Sequence, residues 1–346
     1  MLVLSETQVR RCLTMKQCIA ANRLALGALR LKGKENMHSP AVVPTRIALP
    51  FGSSPQDNSL FKPVAFYGKD ETLMGMKVIS VRGENSVIGL PLAPATITVL
   101  NAKTGEVTAI VAATYLTAAR TAAGSAIATQ IALEQNESKS CENLVVLGAG
   151  LQAECHIAAL VELFGQNIKN VTIVNRSSGR ANALREMLMS RPEMNHINFK
   201  VVLFGMEQDF KSSVENANII CTAINSTKPI FNWNWINHSC HINGVGSYNG
   251  NMEEIDSTFI RDRCIVVADT EEALRVGDLS KISGSHPSFR GLLGDVMAGA
   301  ATYKKMNDSK CTIFKSTGTA VQDLFTAEAV VKAAIDLGIG THVDMS

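Results

Sequence analysis

Three cations stand where a soluble chain rarely puts them. Arg46 lies in the otherwise apolar run Pro40–Leu49, Lys77 sits inside Leu73–Val81 among Met, Val and Ile, and Arg120 interrupts an alanine-rich stretch. Burying a charge without a partner is expensive, so each needs an internal acid or an anionic ligand. Two arginines and a lysine converging on one place would hold a small carboxylate. The lysine could also deliver a proton, since burial lowers its proton affinity toward neutral pH. The plainer alternative for each is a snorkelling side chain or a structural ion pair.

A second kind of chemistry is written in Leu144–Ala153. Four apolar residues, Leu-Val-Val-Leu, read as a buried strand, followed by Gly148, Gly150 and Ala153 in a G-x-G-x-x-A pattern. Such glycines allow a tight turn and close packing of the next helix. That helix opens near Leu151 and Gln152 and aims its amides and positive dipole end at the turn, where a pyrophosphate binds. The next strand, Asn170–Val174, ends in Asn175-Arg176-Ser177, with Arg180 one turn on. A bare ribose 2′-hydroxyl is normally gripped by an Asp or Glu at this place. Arg176 stands there instead, and a guanidinium matches a phosphate. The expected cofactor is NADPH, with NADH as the alternative; a solvated surface arginine is the plainer reading.

The elements that position these groups follow from periodicity. Leu2–Leu4 is a strand, and Ser5 or Thr7 caps a helix running to about Leu31. The Arg46 strand comes next, then a polar loop over Pro50–Lys62, a short strand at Val64–Tyr67 and the Lys77 strand. Ile97–Leu100 and Val107–Val111 form a hairpin across Asn101–Gly105. After the alanine-rich helix and a polar break at 136–140, strands and helices alternate: Phe199–Phe204, Ala217–Cys221, His241–Val245 and Cys264–Val267 are short apolar strands. That alternation predicts a doubly wound parallel sheet, with ligands beyond the carboxyl ends of its strands. An amphipathic helix over Thr319–Leu337 closes the chain. The cofactor region is expected over 122–318. The substrate region is expected over 1–121, completed by the helix at 319–346.

Weaker candidates complete the reading. His156 reads as a packed or capping histidine. Asn243-Gly244-Val245-Gly246-Ser247 ends a strand at the expected cofactor edge, so Val245 and Ser247 are placed at the cofactor. Lys315-Ser316-Thr317-Gly318 is read as a loop closing over the nicotinamide, with Lys315 and Gly318 in contact with it. Asp269, Asp278, Asp295 and Asp323 are each explained by helix capping. Among 346 residues the net charge is +2, which gives no sign of a nucleic-acid partner. No apolar run is long enough for a bilayer. Eight scattered cysteines, none in a CxxC pair, read as reduced and packed, and no Cys/His spacing suggests a metal site. The expected location is cytoplasmic; Arg10, Arg11 and Lys16 with few acids also suit organelle import.

Taken in order, the Arg46 strand, Met-Gly-Met-Lys77-Val, Leu-Thr-Ala-Ala-Arg120-Thr-Ala-Ala-Gly-Ser-Ala, Gly148-Ala-Gly-Leu-Gln-Ala with His156, Asn175-Arg176, Gly244-Val-Gly-Ser, Gly291-Leu-Leu-Gly-Asp295-Val and Thr312–Asp323 resemble one family. It is the ornithine cyclodeaminase/μ-crystallin family. The resemblance implies a Rossmann doubly wound parallel sheet plus a discontinuous α+β substrate and dimerisation domain, and a homodimer. It implies that Arg46, Lys77 and Arg120 handle the carboxylate and the proton. Ornithine cyclodeaminases carry an Asp shortly after the Val-Gly, where Ser247 stands here. That departure resembles the ketimine reductase branch, and implies reduction of Δ1-pyrroline-2-carboxylate or Δ1-piperideine-2-carboxylate to proline or pipecolate. Ornithine cyclodeaminase, alanine dehydrogenase and a non-catalytic NADPH-dependent binding protein of μ-crystallin type are the alternatives.

Overall fold

The chain begins as strand β1 (Leu2–Leu4), then two helices, α1 (Glu6–Cys12) and α2 (Met15–Gly27). The computed structural model describes residues 1–30, 39–51, 57–137, 140–236, 238–282, 284–304 and 311–344. Leu31, the expected end of a single first helix, lies outside them. The single helix is in any case two, because each has its own capping box: Ser5 with Gln8, and Thr14 with Gln17. A side chain that satisfies both its own amide and that of the third helical residue starts a new helix wherever it occurs.

An antiparallel run follows: β2 (Ala41–Val42), β3 (Ile47–Pro50), β4 (Asn58–Tyr67), β5 (Thr72–Val81), β6 (Ala95–Leu100) and β7 (Val107–Ala112). Two expectations are corrected here. Arg46 is not on a strand; it is half-buried in the irregular link leading into β3. The loop expected over Pro50–Lys62 ends in sheet, since β4 starts at Asn58 and pairs with β5 along its whole length. Residues 52–56 lie outside the described residues. Polar letters at Asn58, Ser59 and Lys62 hid a strand whose Leu60, Lys62 and Val64 are buried.

Helix α3 (Thr114–Gln135) leads into the alternating part of the chain: β8 (Asn143–Leu147), α4 (Leu151–Phe164), β9 (Asn170–Asn175), α5 (Ser178–Met189), β10 (Asn198–Leu203), α6 (Glu207–Glu215) and β11 (Ile219–Thr222). Then come β12 (Cys240–Gly244), α7 (Ser257–Arg263), β13 (Cys264–Ala268), β14 (Phe289–Leu292), α8 (Leu293–Met297), β15 (Cys311–Lys315), α9 (Ala320–Asp336) and β16 (Thr341–His342).

The chain divides into two units. One takes Met1–Leu29, Glu35–Arg120 and Gly318–Ser346; the other takes Arg30–Lys34 and Thr121–Thr317. The first unit holds a sheet ordered β16-β1-β7-β6-β5-β4-β2, with β3 also on β4. Helix α9 lies against this sheet and against α2. Ala320, Val321, Leu324 and Phe325 pack there with Ala21, Ala25 and Val64, and Phe325 meets Phe66 edge-on at 4.8 Å.

The second unit is an α/β layer structure with sheet order β10-β9-β8-β11-β12-β15-β13-β14, all pairs parallel. Its central strands β8, β11, β12, β13 and β15 are almost wholly buried, as a sheet covered on both faces requires, and β12 and β15 carry the polar His241, Asn243, Thr312 and Lys315 inside. The strand order reverses between β8 and β11. In open α/β sheets that is where a ligand crevice forms. The eight cysteines are buried and none forms a disulfide.

Candidate active site and cofactor turn

In the first unit the sequence brings Lys77 and Arg120 to one acid. Lys77 Nζ lies 2.7 Å from the Asp323 carboxylate, and Arg120 Nε donates to Asp323 Oδ1 at 2.7 Å. All three are buried. Asp323 is in the first turn of α9, but its carboxylate does not cap the helix as expected; it serves as counter-ion to β5 and α3. Burial alone would raise its proton affinity, but Arg120 and then Lys77 outweigh this and hold its pKa down to about 2. Lys77 is shifted the other way from a typical ion pair. Burial lowers its pKa well below the usual lysine value, with Arg120 and Lys62 adding to the effect and Asp323 opposing it.

Two groups that the sequence did not single out complete this cluster. Lys62 is buried on β4 and donates to the Gly318 carbonyl at 2.7 Å. Gln322 reaches Asn22 Oδ1 at 2.9 Å and the Arg120 carbonyl at 3.2 Å, fixing α3 and α2 to α9. Gly318 has φ +77, and a Cβ there would lie 2.4 Å from both Arg120 terminal nitrogens, so only glycine lets the guanidinium lie against the backbone. The sequence places Gly318 at a nicotinamide; the structure sets it against Arg120. Arg46, on the opposite edge of β4 from β5, precedes a strand that is exposed throughout.

In the second unit the glycine turn has the form its letters predict. Gly148 takes φ +117, and a Cβ would strike the Ala223 carbonyl at 2.6 Å. Gly150 is the N-cap of α4, and space around it is open where a Cβ would stand. Ala153 is fully buried, letting α4 pack close. Gln152 Oε1 is buried and has no hydrogen-bond partner among the described residues. A turn with an open mouth, the amide end of a 14-residue helix and an orphaned acceptor fit a dinucleotide. At the end of β9, Asn175 Nδ2 donates to the Ser177 carbonyl at 3.0 Å, and Ser177 caps α5 by accepting from the Arg180 amide. Arg176 and Arg180 are exposed, and neither makes an ion pair among the described residues.

His156 is a packing residue. Its Nδ1 contacts the Gln152 carbonyl at 2.7 Å and its Nε2 contacts Ser125 Oγ at 3.0 Å; burial pushes its pKa down to about 4, so the neutral ring ties α4 to α3. Val245 is nearly buried at the end of β12.

Lys315 is not in the loop expected over 315–318, and it meets Ser247. Lys315 is the last residue of β15, and both side chains are fully buried. Lys315 Nζ donates to Ser247 Oγ at 2.6 Å and pairs with Asp278 at 2.9 Å, while Ser247 Oγ also donates to Asp278. Asp278 accepts from the amides of Glu254 and Ile255, and Glu254 accepts from Thr222 Oγ1 and from the amides of Ile224 and Ser247. Burial and then Asp278 push Glu254 up to about 7, whereas Lys315 holds Asp278 below its ordinary value against its burial. Of the four acids read as caps, Asp295 does cap, accepting from the Leu292 amide at 2.9 Å. Asp269 instead accepts from the Thr317 amide and Ser316 Oγ. A carboxylate after an apolar run looks the same in sequence whether it caps a helix or meets a distant lysine.

A family profile described as the ornithine cyclodeaminase/mu-crystallin family matches residues 6–336. The chain belongs to that family. Over its whole length it is 30% identical to a Dictyostelium discoideum protein named uncharacterized cyclodeaminase, covering 100% of each. It is 28% identical to a Δ1-pyrroline-2-carboxylate reductase of Bacillus cereus, across 99% of this chain and 100% of the relative. Among solved structures it is similar to the Thermococcus litoralis Δ1-pyrroline-2-carboxylate reductase in complex with NADH and L-proline. There the TM-score is 0.84 at 26% identity, covering 99% of this chain and 100% of that one. The second unit is thus the Rossmann part of a family member, and two of these relatives are named Δ1-pyrroline-2-carboxylate reductases, one of them solved with NADH and L-proline.

Proposed function

We propose that this family member is an NADPH-preferring ketimine reductase. It would convert Δ1-pyrroline-2-carboxylate or Δ1-piperideine-2-carboxylate to L-proline or L-pipecolate. The observation that carries this reading is the buried Lys77–Asp323–Arg120 cluster. Arg120 uses Nε on Asp323 and reaches Gln322 Oε1 with Nη1 at 3.5 Å; its terminal nitrogens would also meet a substrate carboxylate, with Arg46 as a further cation for that end. Lys77 gives up a proton readily, because its buried setting disfavours the ammonium.

The bound cofactor supplies a hydride. Lys77 would give a proton to the ring nitrogen, so that hydride and proton together bring the two electrons and two hydrogens that turn the imine into an amine. Holding the carboxylate fixes which face of the ring is presented. Gly148, Gly150, Leu151, Gln152 and Ala153 would hold the pyrophosphate, and Asn175, Arg176, Ser177 and Arg180 the 2′-phosphate. Lys315 and Ser247, enclosed with Asp278, would shape the strand end beneath the cofactor instead of touching it.

The same reading includes a homodimer. Ile47, Leu49 and Phe51, 63%, 52% and 71% exposed along the β3 edge, are apolar surface of the kind a second subunit covers. Light scattering on a sizing column reports the mass directly.

The test of function follows NADPH absorbance with each cyclic ketimine, then with pyruvate plus ammonia, and assays ammonia from ornithine. Oxidation with cyclic ketimines alone supports the proposal. Ammonia released from ornithine with no net change in NADPH would end it.

A further inference from the structure

Lys62 and Lys77 are register partners, directly opposite one another across β4 and β5. Side chains so paired leave the same face of the sheet with their Cβ atoms about 5 Å apart, and like charges there repel. Both are buried, 6% and 1% exposed, so solvent screens the repulsion poorly. Lys62 is anchored by the carbonyl of Gly318, the residue against which the Arg120 guanidinium lies.

The groups around the Lys77 amine come from every element packed on it. Lys62 faces it from β4, Asp323 from α9, and Arg120 and Thr117 from α3; its β6 partner is the neutral Ile97. Asp323 favours the ammonium. Arg120 and Lys62 oppose it, and Arg120 is already committed to Asp323. Lys62 thus acts on Lys77 from β4, apart from the hydrogen bond that joins Arg120 to Asp323.

We propose that Lys62 is a positioning residue that acts through Lys77, setting the pH below which Lys77 holds the proton that imine reduction consumes. This rests on the reductase reading. A carboxylate arriving at Arg120 adds negative charge beside Lys77 and favours its ammonium form. That proton passes to the ring nitrogen as the hydride reaches carbon, and Lys77 returns to the neutral amine. One proton is taken from solvent for each turnover. Lys62 weakens the hold of Lys77 on that proton.

The test is a titration of Lys77 itself in the full chain carrying 13C- and 15N-labelled lysine. Its side-chain signal is assigned by its loss in Lys77→Arg. In Lys62→Met, which keeps the apolar stem and removes the charge, the Lys77 midpoint should rise by about half a unit or more. Lys62→Arg, which keeps the charge, should leave it near the parent value. The basic limb of kcat/KM for a cyclic ketimine should move upward with the midpoint. Lys62→Gln gives the same test if Lys62→Met does not fold. An unmoved Lys77 midpoint in a cooperatively folded charge-removed variant overturns the proposal. If the parent turns over no ketimine, the reductase reading falls, and the Lys77 titration still decides whether Lys62 tunes it.

Discussion

Asp323 Oδ1 and Arg120 Nε meet at 2.7 Å although 203 positions separate them along the chain. Lys77 reaches the same carboxylate from 246 positions away. One acid thus aligns two cations from separate elements. It also supplies the charge without which they could not be buried together.

Replacing Asp323 by Asn should remove that charge and leave two buried cations facing an amide. The expected loss of stability is about 3–5 kcal/mol, the range for breaking a buried ion pair on one side. Reductase activity should fall with it. Urea unfolding of parent and variant, followed by NADPH oxidation at a temperature where both are folded, separates the two effects.

The same carboxylate should shape the acid limb of stability. Its folded pKa of about 2 lies below the ordinary value of 3.8, so the folded state favours the ionised form. Its contribution is therefore fully present above about pH 4 and is lost as pH falls through about 2, a total of about 2 kcal/mol. Unfolding free energy measured from pH 5 to pH 2 should decline less steeply in Asp323→Asn than in the parent. Parallel declines would show that Asp323 is not the titrating group.

Lys77→Ala should reduce kcat by about 10²–10⁴-fold, the usual worth of a placed proton donor. NADPH affinity, read from fluorescence titration, should stay within about twofold. Equal loss of both would make Lys77 a structural residue.

Arg176→Ala should weaken NADPH by about 10–100-fold, the equivalent of one or two charge-assisted hydrogen bonds. NADH should bind as before. Unchanged NADPH affinity would return Arg176 to the solvent-exposed surface and remove the argument for a 2′-phosphate.

The Lys315–Asp278 pair is fully buried, so the single variants Lys315→Met and Asp278→Leu should each cost about 3–5 kcal/mol. The double variant should recover part of that loss, since it leaves no lone charge inside. A double-mutant cycle by chemical denaturation measures the coupling. Additive losses would mean that the amides of Glu254 and Ile255, not Lys315, are what Asp278 serves.

The Rossmann unit was largely legible because its strands are short apolar runs and its glycine turn has a local cause. The antiparallel sheet was legible only in part. Asn58, Ser59 and Lys62 look like loop residues until β5 is known to lie alongside. The helix break at Thr14 was present in the letters, as a threonine with a glutamine three residues on, but helical periodicity ran across it. Lys77 and Arg120 were found because charge in apolar context is conspicuous. Lys62 and Glu254 were not, nor were the roles of Asp323 and Asp278, because each depends on partners brought near only by the fold. Ser247 and Lys315 were matched to a cofactor edge by their place in the motif, whereas their burial follows from Asp278, which no local pattern connects to either.

The division of the chain has a consequence for its synthesis. The Rossmann unit is complete when Thr317 has emerged from the ribosome, whereas the first unit still lacks α9, the helix its sheet packs against. The inserted half can therefore reach its native state while the outer half waits with Lys77 and Arg120 lacking their counter-ion. Translation order alone makes the last helix the step that both seals the apolar core and neutralises the charge it contains.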